Sequence, residues 1–163
     1  MKKIINNPTD VVSEALMGMQ AAYPDKLVYT PKMEVISRKE KKTDKVAVIS
    51  GGGAGHEPLH AGFVGKGMLD AAISGNVFSS PSPDRIGSAI EQVSCGKGVL
   101  MVIKNYSGDI MNFDMAAEMC EMDDIETRSI VGADDVNSNA NPDTRRGVAG
   151  IFFMYKCAGA KAA

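Results

Sequence analysis

At 163 residues, 44% hydrophobic and 23% charged, with a net charge of −2, the chain is sized for one well-buried domain. It lacks the basic excess that nucleic acid or an anionic membrane attracts. Three scattered cysteines, Cys95, Cys120 and Cys157, have no CxxC spacing and read as core thiols of a reducing compartment; with no membrane-length apolar run and no leader-like segment before Pro8, a cytoplasmic location is expected.

Asn7-Pro8-Thr9-Asp10 carries helix-start chemistry, with Asn7 as N-cap and Pro8 at the first helical position. Val12, Ala15, Leu16, Met19 and Ala22 then fall at helical spacing until Tyr23-Pro24. Lys32–Ser37 alternates as a strand, and Arg38–Asp44 reads as a charged, solvated connection. Lys45–Ser50 is short, β-branched and apolar, the pattern of a strand buried on both faces. It runs into Ser50-Gly-Gly-Gly-Ala-Gly-His-Glu-Pro-Leu-His60, expected to be a glycine loop whose backbone N–H groups turn toward a ligand.

Beyond it, Pro58 is placed to open a short helix through Phe63, broken by Gly65-Lys66-Gly67. Asn76–Phe78 reads as a short buried strand. Ser82-Pro83-Asp84 starts a helix reaching about Ser94, and Gly98–Lys104 is the strongest strand. After the loop Asn105–Asp109, residues Ile110, Phe113, Ala117 and Cys120 mark a helix, and Thr127–Gly132 a further strand. Ala133–Arg146 is long for a connection, and helical character returns from Gly147. This alternation predicts an α/β layered domain with a largely parallel or mixed central sheet flanked by helices. Ligands of such sheets bind beyond the carboxyl ends of the strands, where His56, the Ser79–Asp84 loop, Lys104–Asp109 and Asp134-Asp135 are delivered.

The motifs carry competing chemistries. Gly51-x-Gly53-x-x-His56 fails the third glycine of a dinucleotide fingerprint, and no P-loop is present. His56-Glu57-Pro58-Leu59-His60 matches the HExxH zinc pattern, but Pro58 interrupts the continuous helix that pattern needs. No third histidine exists, leaving Glu91 or another carboxylate as the remaining ligand, so no metal is expected. His60 reads as a packed structural histidine. Asp109 either faces a helix dipole or orients His56 as a general base, and Lys104 either snorkels from a strand end or joins the same crevice.

Taken in order, Gly51–Pro58, Gly65–Met68, Phe78–Asp84, Lys104–Asp109 and Arg145–Ala149 closely resemble dihydroxyacetone kinase, specifically its ketone-binding K subunit or domain. Carried over by position, the resemblance implies that Gly53, Ala54 and Gly55 with His56 cradle dihydroxyacetone. Lys104 and Asp109 would hydrogen-bond its oxygens, and His56 would act as general base with Asp109 assisting. It implies no cofactor bound by this chain: the phosphoryl donor comes from a partner subunit carrying phosphohistidine or from an ATP-binding domain. It also implies a homodimer.

The family's loop usually reads Gly-Gly-Gly-Ser-Gly-His, so Ala54 stands where a serine hydroxyl would supply a hydrogen bond worth about 0.5–1.5 kcal/mol. That departure keeps open a non-catalytic paralogue acting as ketone sensor or coactivator. The family's unit also continues into a part where another histidine captures the ketone carbonyl as a hemiaminal. No histidine follows His60 here, so residues 1–163 are expected to be the N-terminal part of that unit, inactive alone.

Overall fold

The computed structural model describes residues 3–41 and 43–163. Met1 and Lys2 of the N-terminal segment, and Lys42 within the charged connection, lie outside the described residues. Helix α1 spans Val11–Ala22, starting later than the Asn7-Pro8 signal suggests. Residues 7–10 instead form a turn in which Asp10 N donates to Asn7 O at 3.0 Å and Thr9 N to Asn7 Oδ1 at 3.2 Å, making Asp10 the N-cap. The following elements are β1 (Leu27–Thr30), β2 (Val35–Arg38), β3 (Ala47–Ala54), β4 (Ala71–Val77), α2 (Pro83–Val93), β5 (Val99–Lys104), α3 (Ser107–Glu121), β6 (Thr127–Gly132) and α4 (Ile151–Ala162).

The six strands form one sheet in the order β1-β2-β4-β3-β5-β6. Strands β4, β3, β5 and β6 run parallel, whereas β1 pairs antiparallel with β2, and β2 antiparallel with β4. The expected mixed, largely parallel sheet is therefore observed. Strand β1 has no counterpart in the sequence reading, because Leu27-Val-Tyr-Thr30 is too short to establish a period by itself. Strand β4 begins at Ala71 rather than Asn76, since Ala71, Ala72 and Ile73 are buried on both faces and show no alternation.

Each face of the sheet buries its own core. On one side Ile49, Ile73 and Met101 pack against Ile86 and Ile90 of α2 and Phe113 and Ala116 of α3. On the other, Ile36, Val48 and Val102 pack against Leu16 of α1 and Ile151 and Tyr155 of α4. Of the three thiols expected in the core, only Cys120 is buried; Cys95 is half-buried and Cys157 exposed. Cys157 points outward because its neighbours Ile151, Tyr155 and Gly159 define the buried stripe of α4.

Arg38 corrects the reading of a solvated turn. It ends β2 buried, pairing with Asp70 Oδ1 at 3.0 Å, while Lys45 reaches Asp70 Oδ2 at 2.6 Å. Asp70 also accepts from Val48 N at 2.9 Å, so all three charges are held at the amino ends of β3 and β4. Among the described residues, no helix is long and apolar enough to cross a membrane.

Candidate active site at the carboxyl ends of β3, β4 and β5

The glycine run is strand rather than loop. Gly51, Gly52 and Gly53 pair with Ile73, Ser74 and Gly75 of β4, which commits one edge of this backbone to the ladder, while pairing with β5 stops at Ile49. Glycine is needed at Gly53 for closeness: a Cβ there would lie 2.6 Å from Ser79 N and 2.9 Å from Phe78 C. The chain turns only at Gly55, whose φ of 96° favours glycine. His56 follows in that turn, and the helix expected from Pro58 is reduced to a 3-10 turn over Ala61–Phe63.

Gly53, His56, Phe78, Ser80, Lys104, Tyr106, Ser107, Gly108 and Asp109 line one open cleft of about 300 Å³. Strand β3 delivers His56, the loop after β4 delivers Phe78 and Ser80, and β5 ends on Lys104. Asp109 enters from the first turn of α3, where the partial positive charge of a helix N-terminus favours a carboxylate. Ser80 Oγ donates to Asp109 Oδ1. The His56 ring stands edge-on to Phe78 with centroids 5.2 Å apart, and Lys104 Nζ lies 5.3 Å from the Tyr106 ring centroid.

Burial sets the electrostatics. Desolvation pushes the Asp109 carboxyl above its ordinary range, against the opposing pull of the Ser80 hydrogen bond and of Lys104 and His56. Desolvation likewise lowers the Lys104 ammonium, and Asp109 partly restores it. Both groups are thereby moved toward neutral pH, where a proton can leave or arrive at small cost.

His60 is buried as expected, with 2% of its surface exposed. Its Nδ1 meets the Tyr155 hydroxyl and, at 3.0 Å, Ser50 Oγ. The two imidazoles of the HExxH match therefore share no helix: His56 faces solvent in the turn after β3, and His60 faces α4.

Of the residues implicated by sequence, Gly53, His56, Lys104 and Asp109 converge on the cleft. Ala54 does not line it. It lines a separate apolar cleft beneath α1, with Val12, Leu16 and Met19. Gly55 also belongs to that second cleft, under the Phe78 ring. Asp134 and Asp135 stay outside. Asp134 accepts from Val148 N and Gly150 N at 2.8 and 2.7 Å, and Asp135 pairs with Arg146 at 3.0 Å.

That clamp holds Gly147–Ala149 beside His56, Lys104 and Tyr106. Sequence reasoning brings the Phe78–Asp84 and Lys104–Asp109 stretches here without singling out Ser80, Phe78 or Tyr106. The Ser79-Ser80-Pro81 turn at a strand's carboxyl end was the available signal for the first.

The model of the Dak1 domain matches residues 17–163. The dihydroxyacetone-binding subunit DhaK of the PTS-dependent dihydroxyacetone kinase of Lactococcus lactis is 52% identical over 163 residues, covering 99% of this chain and 49% of the relative. The DhaKLM operon coactivator DhaQ of the same organism is 41% identical over 160 residues, covering 97% of this chain and 48% of the relative. The crystal structure of the dihydroxyacetone kinase of C. freundii in its native form superposes with a TM-score of 0.93 at 39% identity, covering 99% of this chain and 30% of that one. The chain belongs to the Dak1 domain family. It spans about half the length of these curated relatives.

Proposed function

We propose that this chain is the acceptor-binding part of a dihydroxyacetone kinase. It holds dihydroxyacetone in the cleft between β3, β4 and β5 and presents a terminal hydroxyl to a phosphoryl donor carried elsewhere. One observation carries the reading: an imidazole, an ammonium and a carboxyl converge on one cleft, in a chain 52% identical over 163 residues to a dihydroxyacetone-binding subunit.

His56 takes the hydroxyl proton as the oxygen attacks phosphorus, and the bond from phosphorus to the donor breaks. Lys104 and Asp109 hold the remaining ketone oxygens, Gly53 leaves room for close approach, and Phe78 fixes the plane of His56. Catalysis of this kind is positioning and electrostatic stabilisation, so no cofactor bound by this chain is needed. The donor is a phosphohistidine on a partner subunit, as the PTS-dependent relative suggests, with an ATP-binding domain as the alternative. The protein works in the cytoplasm as a homodimer.

A second reading, a ketone sensor or coactivator using the same cleft, rests on the 41% identity to the DhaQ coactivator. Mixing full-length protein with dihydroxyacetone and an active phosphoryl-donor partner separates the two. Dihydroxyacetone phosphate should form and His56→Ala should abolish it; binding without product would favour the coactivator.

A further inference from the structure

Among the described residues, one buried side-chain nitrogen or oxygen has no hydrogen-bond partner: His60 Nε2. Such orphans are rare and call for an explanation. The other side of the ring supplies the first half of one. Ser50 Oγ lies 2.6 Å from the Val102 carbonyl oxygen, which can only accept, so the Ser50 proton lies there. Tyr155 OH lies 2.8 Å from Ser50 Oγ, and with the serine proton committed, the tyrosine must donate. Its oxygen then faces His60 Nδ1 as an acceptor, and Nδ1 carries the imidazole proton. The opposite tautomer would leave the 2.8 Å Ser50–Tyr155 contact with no proton between its oxygens. Proton counting thus assigns a directed relay from His60 Nδ1–H through Tyr155 and Ser50 to Val102, leaving Nε2 as a bare acceptor.

The second half is where that acceptor points. A Cβ on Gly52 would lie 2.7 Å from His60 Nε2 and 3.6 Å from Asp109 Oδ2, so both atoms border the notch left by a missing side chain. Ser80 occupies Asp109 Oδ1, which leaves Oδ2 as the free oxygen. An ionised Asp109 would set two acceptors against each other across this notch. A protonated one has an acceptor waiting.

We propose that His60 is a positioning residue for Asp109: the Tyr155–Ser50–Val102 relay locks it as the Nδ1–H tautomer, so that its bare Nε2 accepts the proton of Asp109 Oδ2 across Gly52, directly or through one water. The groups facing Asp109 are Ser80 from the β4 loop, Lys104 from β5, His56 from the turn after β3, His60 beneath Gly52 and Tyr155 from α4. Lys104 and His56 favour its ionised form, and burial favours the protonated form. The His60 acceptor adds to burial. It deepens the reading of this cleft as the reactive site and is tested without substrate or turnover, so either idea can fail alone.

Imidazole ¹⁵N spectra give the tautomer, and carboxyl ¹³C shifts give the Asp109 midpoint. Wild type should show His60 as neutral Nδ1–H. Ser50→Ala removes the relay's end, frees Tyr155 to donate to Nδ1, and should move His60 toward Nε2–H, now a donor to Asp109. The Asp109 midpoint should then fall by about half to one pH unit. Tyr155→Phe leaves Nδ1–H bonded to Ser50 and should preserve both readouts, where a merely structural role would move them in both variants alike. A wild-type Nε2–H tautomer overturns the proposal, as does a Ser50→Ala protein with an unswitched tautomer or an unmoved Asp109 midpoint. Should Ser50→Ala not fold, the wild-type tautomer and Tyr155→Phe decide.

Discussion

Ser80 Oγ donates its proton to Asp109 Oδ1, tying the loop after β4 to the first turn of α3 across the mouth of the sheet. That bond favours the ionised carboxylate and opposes the upward push of burial. Ser80→Ala should therefore raise the Asp109 midpoint by about half to one pH unit. In full-length protein supplied with a phosphoryl donor, the acid limb of the pH–rate profile for the proposed phosphoryl transfer should move upward with it. An unmoved midpoint in the carboxyl ¹³C titration would show that the hydroxyl does not tune Asp109.

His60 also sets an acid limit to stability. Burial pushes its folded pKa from 6.5 to about 3, helped by Lys104 and His56. The unfolded chain binds a proton below about 6.5 that the folded chain refuses until about 3. The contribution of neutral His60 is thus complete above that window and is lost as pH falls through it, by at most about 1.4 kcal/mol per pH unit. His60→Leu should flatten the fall of stability between pH 6 and pH 4, as measured by urea unfolding. Parallel slopes for the two proteins would contradict the assignment.

At the opposite end of the sheet, Asp70 holds two buried cations, Arg38 and Lys45. Removing its charge strands both in a low-dielectric site, so Asp70→Ala should cost about 3–5 kcal/mol in chemical denaturation. The cleft lies beyond the other ends of these strands, and its geometry should survive in whatever fraction stays folded. A loss below about 1 kcal/mol would place the triad among weak surface pairs.

Much of this architecture was legible in the sequence, and the misses have physical causes. The strand at Val99–Lys104 and the helix start at Pro83 are readable because propensity, a proline at the first helical turn and apolar pattern agree there, whereas α3 begins at Ser107, inside the stretch that reads as a loop. The glycine run was misread as a loop, since glycine has no side chain to reveal that its backbone is paired in a ladder. Strand β1 is too short to show a period. Gly53, His56, Lys104 and Asp109 stand in motifs that single them out as candidates, and they converge on one cleft, but Ser80 and Phe78 act through contacts across about 30 and 20 residues of chain, which no local pattern encodes. Ala54 reads as a site residue by position, yet the alternation of β3 turns it toward α1.

Gly53 offers a steric test of the cleft. A Cβ added there would stand 2.6 Å from Ser79 N and 2.9 Å from Phe78 C, and those atoms are backbone. Gly53→Ala should displace the β4 loop, separate Ser80 from Asp109 and weaken ketone binding about tenfold or more. Gly65→Ala, where nothing lies within 4 Å, serves as the control. Equal binding by the two variants would remove the glycine from the site.

The central claim is that the cleft formed by His56, Lys104 and Asp109 receives dihydroxyacetone. With two histidines in the chain, the imidazole ¹H–¹³C spectrum reports the cleft and the floor beneath it separately. Titrating dihydroxyacetone into residues 1–163 should shift the His56 signals along a weak, saturable curve, and Asp109→Asn should abolish that shift. His56 signals that stay fixed throughout the titration would contradict the account.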